Sequence, residues 1–140
     1  MARRERLTRR EKRELDIEIG FLEGLVRRDP TWIEALQLLA EDYTRRGRYR
    51  DGLRVDQRLA QLRPEDPTIL YNLACSYSLV GDQEKAYQTL CQALDHGYRD
   101  FRWLAEDPDL DAFRRHPLYQ RLKRRIRRLR RAYHSPPEKT

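Results

Sequence analysis

The 140-residue sequence is poor in cysteine and lacks long apolar runs. It has two cysteines, Cys75 and Cys91, and no apolar stretch near the roughly 18 residues that a membrane-spanning helix needs. The two cysteines fit neither a disulfide framework nor a zinc-binding spacing, so we expect two separate thiols in a reducing compartment. The start of the chain is charged and contains no signal-peptide core. These absences predict a soluble, cytoplasmic protein.

Recognisable catalytic and nucleotide-binding motifs are also missing. The sequence contains no G-x-x-x-x-G-K-[ST], no G-x-G-x-x-G and no H-E-x-x-H. His96 and His116 lie at expected helix ends, away from any serine or cysteine motif that would make a nucleophile. The acidic run at residues 106–111 lacks the glycine and the distal glutamate of a calcium loop. We therefore predict that the protein is not an enzyme and binds neither a metal nor a cofactor.

Charge is divided unevenly along the chain. The formal net charge of +7 conceals a balance of +5 in residues 1–13, −8 in residues 14–112 and +10 in residues 113–140. An acidic body with basic ends leaves three alternatives open. The ends fold back on the body, they pair with a second copy, or they reach an anionic partner.

The most regular part of the sequence lies between Pro67 and Asp100. Apolar and small residues there form two sets, each with the spacing of one helix face, and Gly81 separates them. The first set is Leu70, Leu73, Ala74 and Tyr77, and the second is Ala86, Leu90, Ala93 and Leu94. Asp66 before Pro67 is a strong signal for the start of a helix. This stretch predicts a helical hairpin.

The same pattern occurs 34 residues earlier. A shift of 34 places aligns five earlier residues with Leu70, Leu73, Ala74, Tyr77 and Gly81 of the hairpin. The five earlier residues are Leu36, Leu39, Ala40, Tyr43 and Gly47. In size, spacing and order, both units resemble the tetratricopeptide repeat (TPR), a helix–turn–helix unit of about 34 residues with the pattern W-x2-L-G-x2-Y. Asp56 departs from that family, which usually has a large apolar residue there. We expect a looser second helix in that unit.

The resemblance implies one all-α domain built as a short right-handed α-solenoid of antiparallel helix hairpins. Residues 33–66 and 67–100 are the two full repeats, and residues 1–32 are a basic segment followed by a capping helix. Residues 101–134 are a degenerate closing repeat, called the closing segment below, and residues 135–140 are a flexible tail. The sequence from 93 to 122 resembles the end of many bacterial TPR proteins, in its G-x-x-D, W-L and D-P-D-L elements.

The ends of the solenoid carry their own signals. Two T-x-x-E capping boxes, at Thr8 and at Thr31, predict helix starts. The first helix is expected to cover the first repeat with an apolar stripe of Leu15, Ile19, Leu22 and Val26, which Phe21 and Leu25 broaden. At the other end, the residues expected to cover the last repeat are Trp103, Leu110 and Phe113.

In TPR proteins the first helix of each repeat lines a concave groove that holds a peptide or a helix of a partner. Carried over by register, the groove residues here are Glu34, Gln37, Leu38, Glu41, Thr44 and Arg45 in the first repeat, and Thr68, Tyr71, Asn72, Cys75, Ser78 and Leu79 in the second. The resemblance therefore implies a protein–protein interaction adaptor or scaffold whose partner is another protein.

The chemistry of this expected groove disfavours a C-terminal carboxylate as ligand. Asn72 stands where chaperone-binding relatives place an asparagine that holds such a carboxylate, but Gln37 and Glu41 occupy places that need basic residues. A basic or polar segment suits the groove better, and the chain's own arginine-rich end is one candidate.

The last expected helix, from about residue 117 to 132, is apolar on one side and basic elsewhere. Its stripe is Leu118, Leu122, Ile126, Leu129 and Tyr133, and its basic residues are Arg121, Lys123, Arg124, Arg125, Arg127, Arg128, Arg130 and Arg131. We favour a capping helix with a solvated basic face. Two alternatives stay open: the basic face binds RNA, DNA or an acidic membrane, or the apolar stripe forms a homodimer.

Overall fold

The computed structural model describes residues 6–134, and these residues form helices joined by short connections, with no strand among them. The elements are α1 (Arg9–Arg28), α2 (Ile33–Arg46), α3 (Tyr49–Leu62), α4 (Pro67–Leu79), α5 (Gln83–Asp95), α6 (Phe101–Glu106), a 3₁₀ turn (Pro108–Leu110), α7 (Asp111–Arg114) and α8 (Leu118–His134). The all-α class expected from the sequence is confirmed. The predicted tail, residues 135–140, lies outside the described residues, as do residues 1–5.

Local side-chain chemistry sets where several helices begin. At the start of α1, the Thr8 hydroxyl accepts a hydrogen bond from the Glu11 amide at 3.1 Å, and the Glu11 carboxylate accepts one from the Thr8 amide at 2.7 Å. This is the predicted capping box. At the start of α4, Asp66 accepts hydrogen bonds from the amides of Thr68 and Ile69. Both helices therefore begin where their capping residues predict.

The second predicted capping box is wrong. Helix α2 begins after Trp32, which makes no side-chain cap. Thr31 instead donates both its amide and its hydroxyl to Asp29, at 3.1 and 2.9 Å. The competing acceptor lies two residues upstream, and an Asx-type turn satisfies Thr31 before it can cap the helix.

The helices form pairs because glycines allow tight turns between them. Gly47 and Gly81 have φ values of 85° and 91°, a left-handed conformation that a side chain makes costly. They follow α2 and α4, each of which packs against the next helix in sequence. Helices that touch across so short a connection run antiparallel. In the first pair the approach is close, because a Cβ atom on Gly52 would lie 3.2 Å from the Thr44 hydroxyl oxygen.

Helix α1 covers the first pair with a narrow stripe. Leu15, Ile19 and Leu22 are buried, and α1 packs against α2. Phe21 does not broaden this stripe as expected, because its side chain is 66% exposed. Only the residues that face α2 directly are covered, so an apolar side chain one step off the stripe stays in water.

The closing segment is an integral part of the largest hydrophobic cluster. Leu110, Phe113 and Leu122 are fully buried among side chains of α4 and α5. Trp103, expected to join them, is 44% exposed instead. Helix α8 therefore contributes to the core through its apolar side, and its basic side faces outward.

The expected loosening at Asp56 is also wrong. Helix α3 is continuous over 14 residues, and Asp56 is only 5% exposed. Its carboxylate accepts a hydrogen bond from the hydroxyl of Ser76, which belongs to α4. A hydroxyl from the next helix pair thus replaces the apolar contact that this position would otherwise make.

Candidate binding groove

A cavity of about 490 Å³ lies where α2, α3, α4 and the start of the closing segment meet. We call it the groove cavity. Its lining residues are Gln37, Ala40, Glu41, Thr44 and Arg45 from α2, Asp56 and Leu59 from α3, Asn72, Cys75 and Ser76 from α4, and Trp103, Asp107, Pro108 and Asp109 from the closing segment.

The structure brings half of the twelve predicted groove residues together. The six that line the groove cavity are Gln37, Glu41, Thr44, Arg45, Asn72 and Cys75. Glu34, Leu38 and Thr68 are exposed outside it, and Leu79 is half-buried. Tyr71 and Ser78 lie in the interior, at 3% and 2% exposure, and present no surface to a partner.

Five polar or aromatic lining residues were missed as site residues by the sequence: Asp56, Ser76, Trp103, Asp107 and Asp109. Asp56 did carry a signal, since it breaks the repeat pattern at a position where the second repeat has the fully buried Leu90. Ser76 lies on α4 one position beyond the predicted groove residue Cys75. Trp103, Asp107 and Asp109 could not be placed at the site from the sequence, because only the fold brings the closing segment beside α4.

Asp107 is anchored in one orientation by three donors. The hydroxyl of Tyr71 donates to its Oδ2 at 2.7 Å, and the Cys75 thiol lies 3.6 Å from the same oxygen. The Asp109 amide donates to Oδ1 at 2.9 Å. Tyr71 is itself fixed by stacking on Tyr98, with ring centroids 4.3 Å apart. Asp107 is thus buried and held by neutral groups.

Burial also raises the pKa of two side chains that line the groove cavity. It raises the pKa of Asp56 to about 7, against an opposing effect of the Ser76 hydrogen bond and with a further rise from the nearby Asp109 charge. Burial likewise raises the pKa of the Cys75 thiol well above its usual value. The thiol stays protonated near neutral pH, which makes it a poor nucleophile.

Several basic residues of α8 are engaged by the protein itself. Arg125 pairs with Asp95. Arg121, Lys123 and Arg130 lie over aromatic rings, with charge-to-centroid distances of 5.0–5.4 Å, and Arg131 also has an interaction partner. The three further members of the predicted anionic-surface patch are exposed: Arg124, Arg127 and Arg128.

Neither a metal-binding group nor a membrane-spanning helix is found in residues 6–134. No group of three or more histidine, cysteine, aspartate or glutamate side chains in this range is placed to hold a metal ion. None of the helices in this part of the chain combines the length and the apolar character needed to cross a bilayer.

The structure defines a class, an all-helical protein of antiparallel helix pairs with a cavity between them. No protein-family model matches the chain. The chain is similar to a curated chloroplastic protein of Arabidopsis thaliana, with 33% identity over 76 residues. The match includes 52% of this chain but only 23% of the relative, so the chain spans about a quarter of that protein's length.

Proposed function

We propose that this chain is a TPR-like interaction adaptor that binds a peptide or helix of another protein in the groove cavity. The observation that supports the proposal best is that Glu41 and Cys75, one repeat length apart, line a single cavity. Two residues in equivalent register reach one surface when two repeats stack side by side. The short α-solenoid, with repeats at 33–66 and 67–100, and the cytoplasmic location belong to this proposal.

The chemistry of the lining supports binding over catalysis. The Gln37 and Asn72 amides offer donors and acceptors for the backbone of an extended segment, and the half-exposed Trp103 offers a large apolar surface. The one thiol in the lining, that of Cys75, is buried and protonated. Such a mixture suits reversible recognition of a polypeptide.

Site-specific photo-crosslinking tests the groove assignment. A photoreactive amino acid placed at Gln37 or at Asn72 should crosslink a partner that co-purifies with the protein from its native cell. The same amino acid at Gln61 or Gln88, which are exposed outside the groove cavity, should not. Crosslinks confined to these two outer positions would show that the groove assignment is wrong.

A second candidate function is binding of anionic surfaces (RNA, DNA or acidic membrane) through α8. One observation favours it: the exposed Arg124, Arg127 and Arg128 have i, i+3, i+4 spacing and therefore share one helix face. Deletion of residues 121–140 is not a clean test, because Leu122 and Ile126 are buried in the core.

Neutralising this arginine face gives the cleaner measurement. If all three arginines contact phosphates, their replacement by glutamine should reduce the log–log salt slope of duplex DNA binding by about 2.7, since each lost contact releases about 0.9 counterion fewer. A matched variant with the same charge change replaces three exposed arginines of α1, namely Arg13, Arg27 and Arg28. Equal salt slopes for the two variants would show that α8 is not a specific anion-binding face.

A further inference from the structure

We infer that the groove cavity recognises a cationic side chain, an arginine or lysine of the partner segment, placed beside the buried carboxylates of Asp56 and Asp107. This inference rests on the proposed function and names the chemistry of the segment that the groove binds. It is carried by the charge of the lining, by the burial of the two carboxylates and by the position of Trp103.

The lining of the groove cavity is unbalanced in charge. Its single basic residue is Arg45. Four of its residues are acidic: Glu41, Asp56, Asp107 and Asp109. If the Asp56 carboxyl is counted as protonated, the balance is still negative. A cavity of this charge, walled by protein on several sides, attracts cations more strongly than an open acidic surface does.

The two innermost carboxylates receive their hydrogen bonds from neutral groups. Asp56 is bonded by the Ser76 hydroxyl, and Asp107 by the Tyr71 hydroxyl, the Cys75 thiol and a backbone amide. Both carboxylates are at most 5% exposed. Buried carboxylates are commonly paired with a cation, because burying an uncompensated charge is costly. A guanidinium or ammonium group entering the cavity supplies that missing charge.

Trp103 and Asp56 both differ from the residue or the exposure that is usual at their positions, and a bound ligand explains both differences. Trp103 is 44% exposed although large aromatic residues are normally covered, and it lines the same cavity. An indole face attracts a cation within about 6 Å. Asp56 replaces an apolar core residue, since its counterpart Leu90 is fully buried. Departures of this kind are expected where function outweighs stability.

The basic helix of the chain itself does not fill the cavity. No residue of α8 is part of the lining, and the apolar side of α8 packs into the cluster of α4 and α5. Arg125, Arg121 and Arg130 contact groups outside the lining. Within residues 6–134, Arg45 is the one basic residue that lines the cavity, so we assign the occupant to a segment of another protein.

An array of nine-residue peptides tests the inference directly. Each peptide is synthesised twice, once with arginine and once with citrulline, which keeps the shape of arginine but has no charge. Peptides bound by the wild-type protein should contain arginine or lysine, and the citrulline form should bind about tenfold more weakly, as expected for loss of a charge-assisted hydrogen bond. Citrulline forms that bind as well as the arginine forms, or no bound peptide at all, would overturn the inference.

Two variants locate the effect. Asp56→Asn keeps the shape of the side chain and should reduce the arginine-to-citrulline affinity ratio to about threefold or less. Glu65→Gln removes the same charge from an exposed position outside the cavity and should leave the ratio unchanged. A ratio that survives Asp56→Asn contradicts the role of Asp56. If crosslinking at Gln37 and Asn72 still captures a partner, the proposed function stands and only the cation inference fails.

The pH dependence of binding gives a second readout. The other charged groups that line the cavity with Asp56 are Glu41 and Arg45 of α2 and Asp107 and Asp109 at the 3₁₀ turn. Because a bound guanidinium favours the ionised carboxylate, peptide affinity should rise several-fold between pH 6 and pH 8 as Asp56 loses its proton. This rise should be absent in Asp56→Asn. An equal rise in both proteins would assign the effect to another group.

Discussion

Replacing Phe113 by alanine should reduce the free energy of unfolding by about 3–5 kcal/mol. Phe113 is fully buried in the cluster that joins α4 and α5 to the closing segment, and its ring meets Tyr119 edge-on, with centroids 6.0 Å apart. Alanine removes the ring and leaves a cavity that helices fixed on several sides cannot close. Urea denaturation followed by circular dichroism measures the loss.

The same substitution at Phe21 is the matched control. Its ring is 66% exposed on α1, so Phe21→Ala should change the free energy of unfolding by no more than about 0.5 kcal/mol. A loss below about 1 kcal/mol for Phe113→Ala would show that the closing segment is not part of the folded core. A large loss at both positions would show that Phe21 is not exposed as described.

The features of the fold that depend on residues close together along the chain were predictable from the sequence. The turns at Gly47 and Gly81 depend on the conformation of single residues, and the Thr8 capping box depends on a span of four. The position of Leu15 and Ile19 on one helix face follows from helical spacing alone. In each case the physical cause lies within a few residues of its effect.

Features that depend on which helix packs against a given face, and on how much of that face it covers, were predicted less well. Periodicity identifies the residues that share a helix face, but it does not say how much of that face the next helix covers. Phe21 and Trp103 were therefore expected inside, but they are 66% and 44% exposed. Tyr71 shows the reverse: register places it on the groove-lining helix, but Asp107 and Tyr98 enclose it.

The candidate site was only half accessible to sequence reasoning for the same reason. Repeat register gave six of the eight residues that α2 and α4 contribute to the groove cavity, because that register fixes which side of each helix they occupy. It gave nothing on Asp107 or Trp103, since the closing segment departs from the repeat. Asp56 was recognised as a departure, but its meaning depends on Ser76, which lies on another helix.

Replacing Asp56 by asparagine should stabilise the protein at alkaline pH and weaken its pH dependence. The pKa of this carboxyl is about 7 in the folded state, against an ordinary value of 3.8, because the group is buried. The folded state therefore holds the proton more tightly, so the stabilisation from this group is fully present below about pH 4. It is lost as the pH rises through about 7. A pKa difference of about three corresponds to about 4 kcal/mol.

Urea denaturation at a series of pH values measures this effect. Between pH 4.5 and pH 8 the free energy of unfolding of the wild type should fall by several kcal/mol more than that of Asp56→Asn. A residual fall is expected in the variant, because burial raises the pKa of Asp42 to about 6 and that carboxyl acts in the same direction. The Glu65→Gln control should follow the wild type, and parallel curves for all three proteins would show that Asp56 is not buried as described.

The combination of this result with peptide binding separates stability from function at Asp56. A substitution that only relieved a buried charge would raise stability at pH 8 and leave binding unchanged. If Asp56 holds a cation of the partner, the same variant should become more stable and at the same time lose its preference for arginine over citrulline. The uncompensated carboxylate then persists because the bound segment supplies its positive partner, and the free protein is stabilised when it is removed.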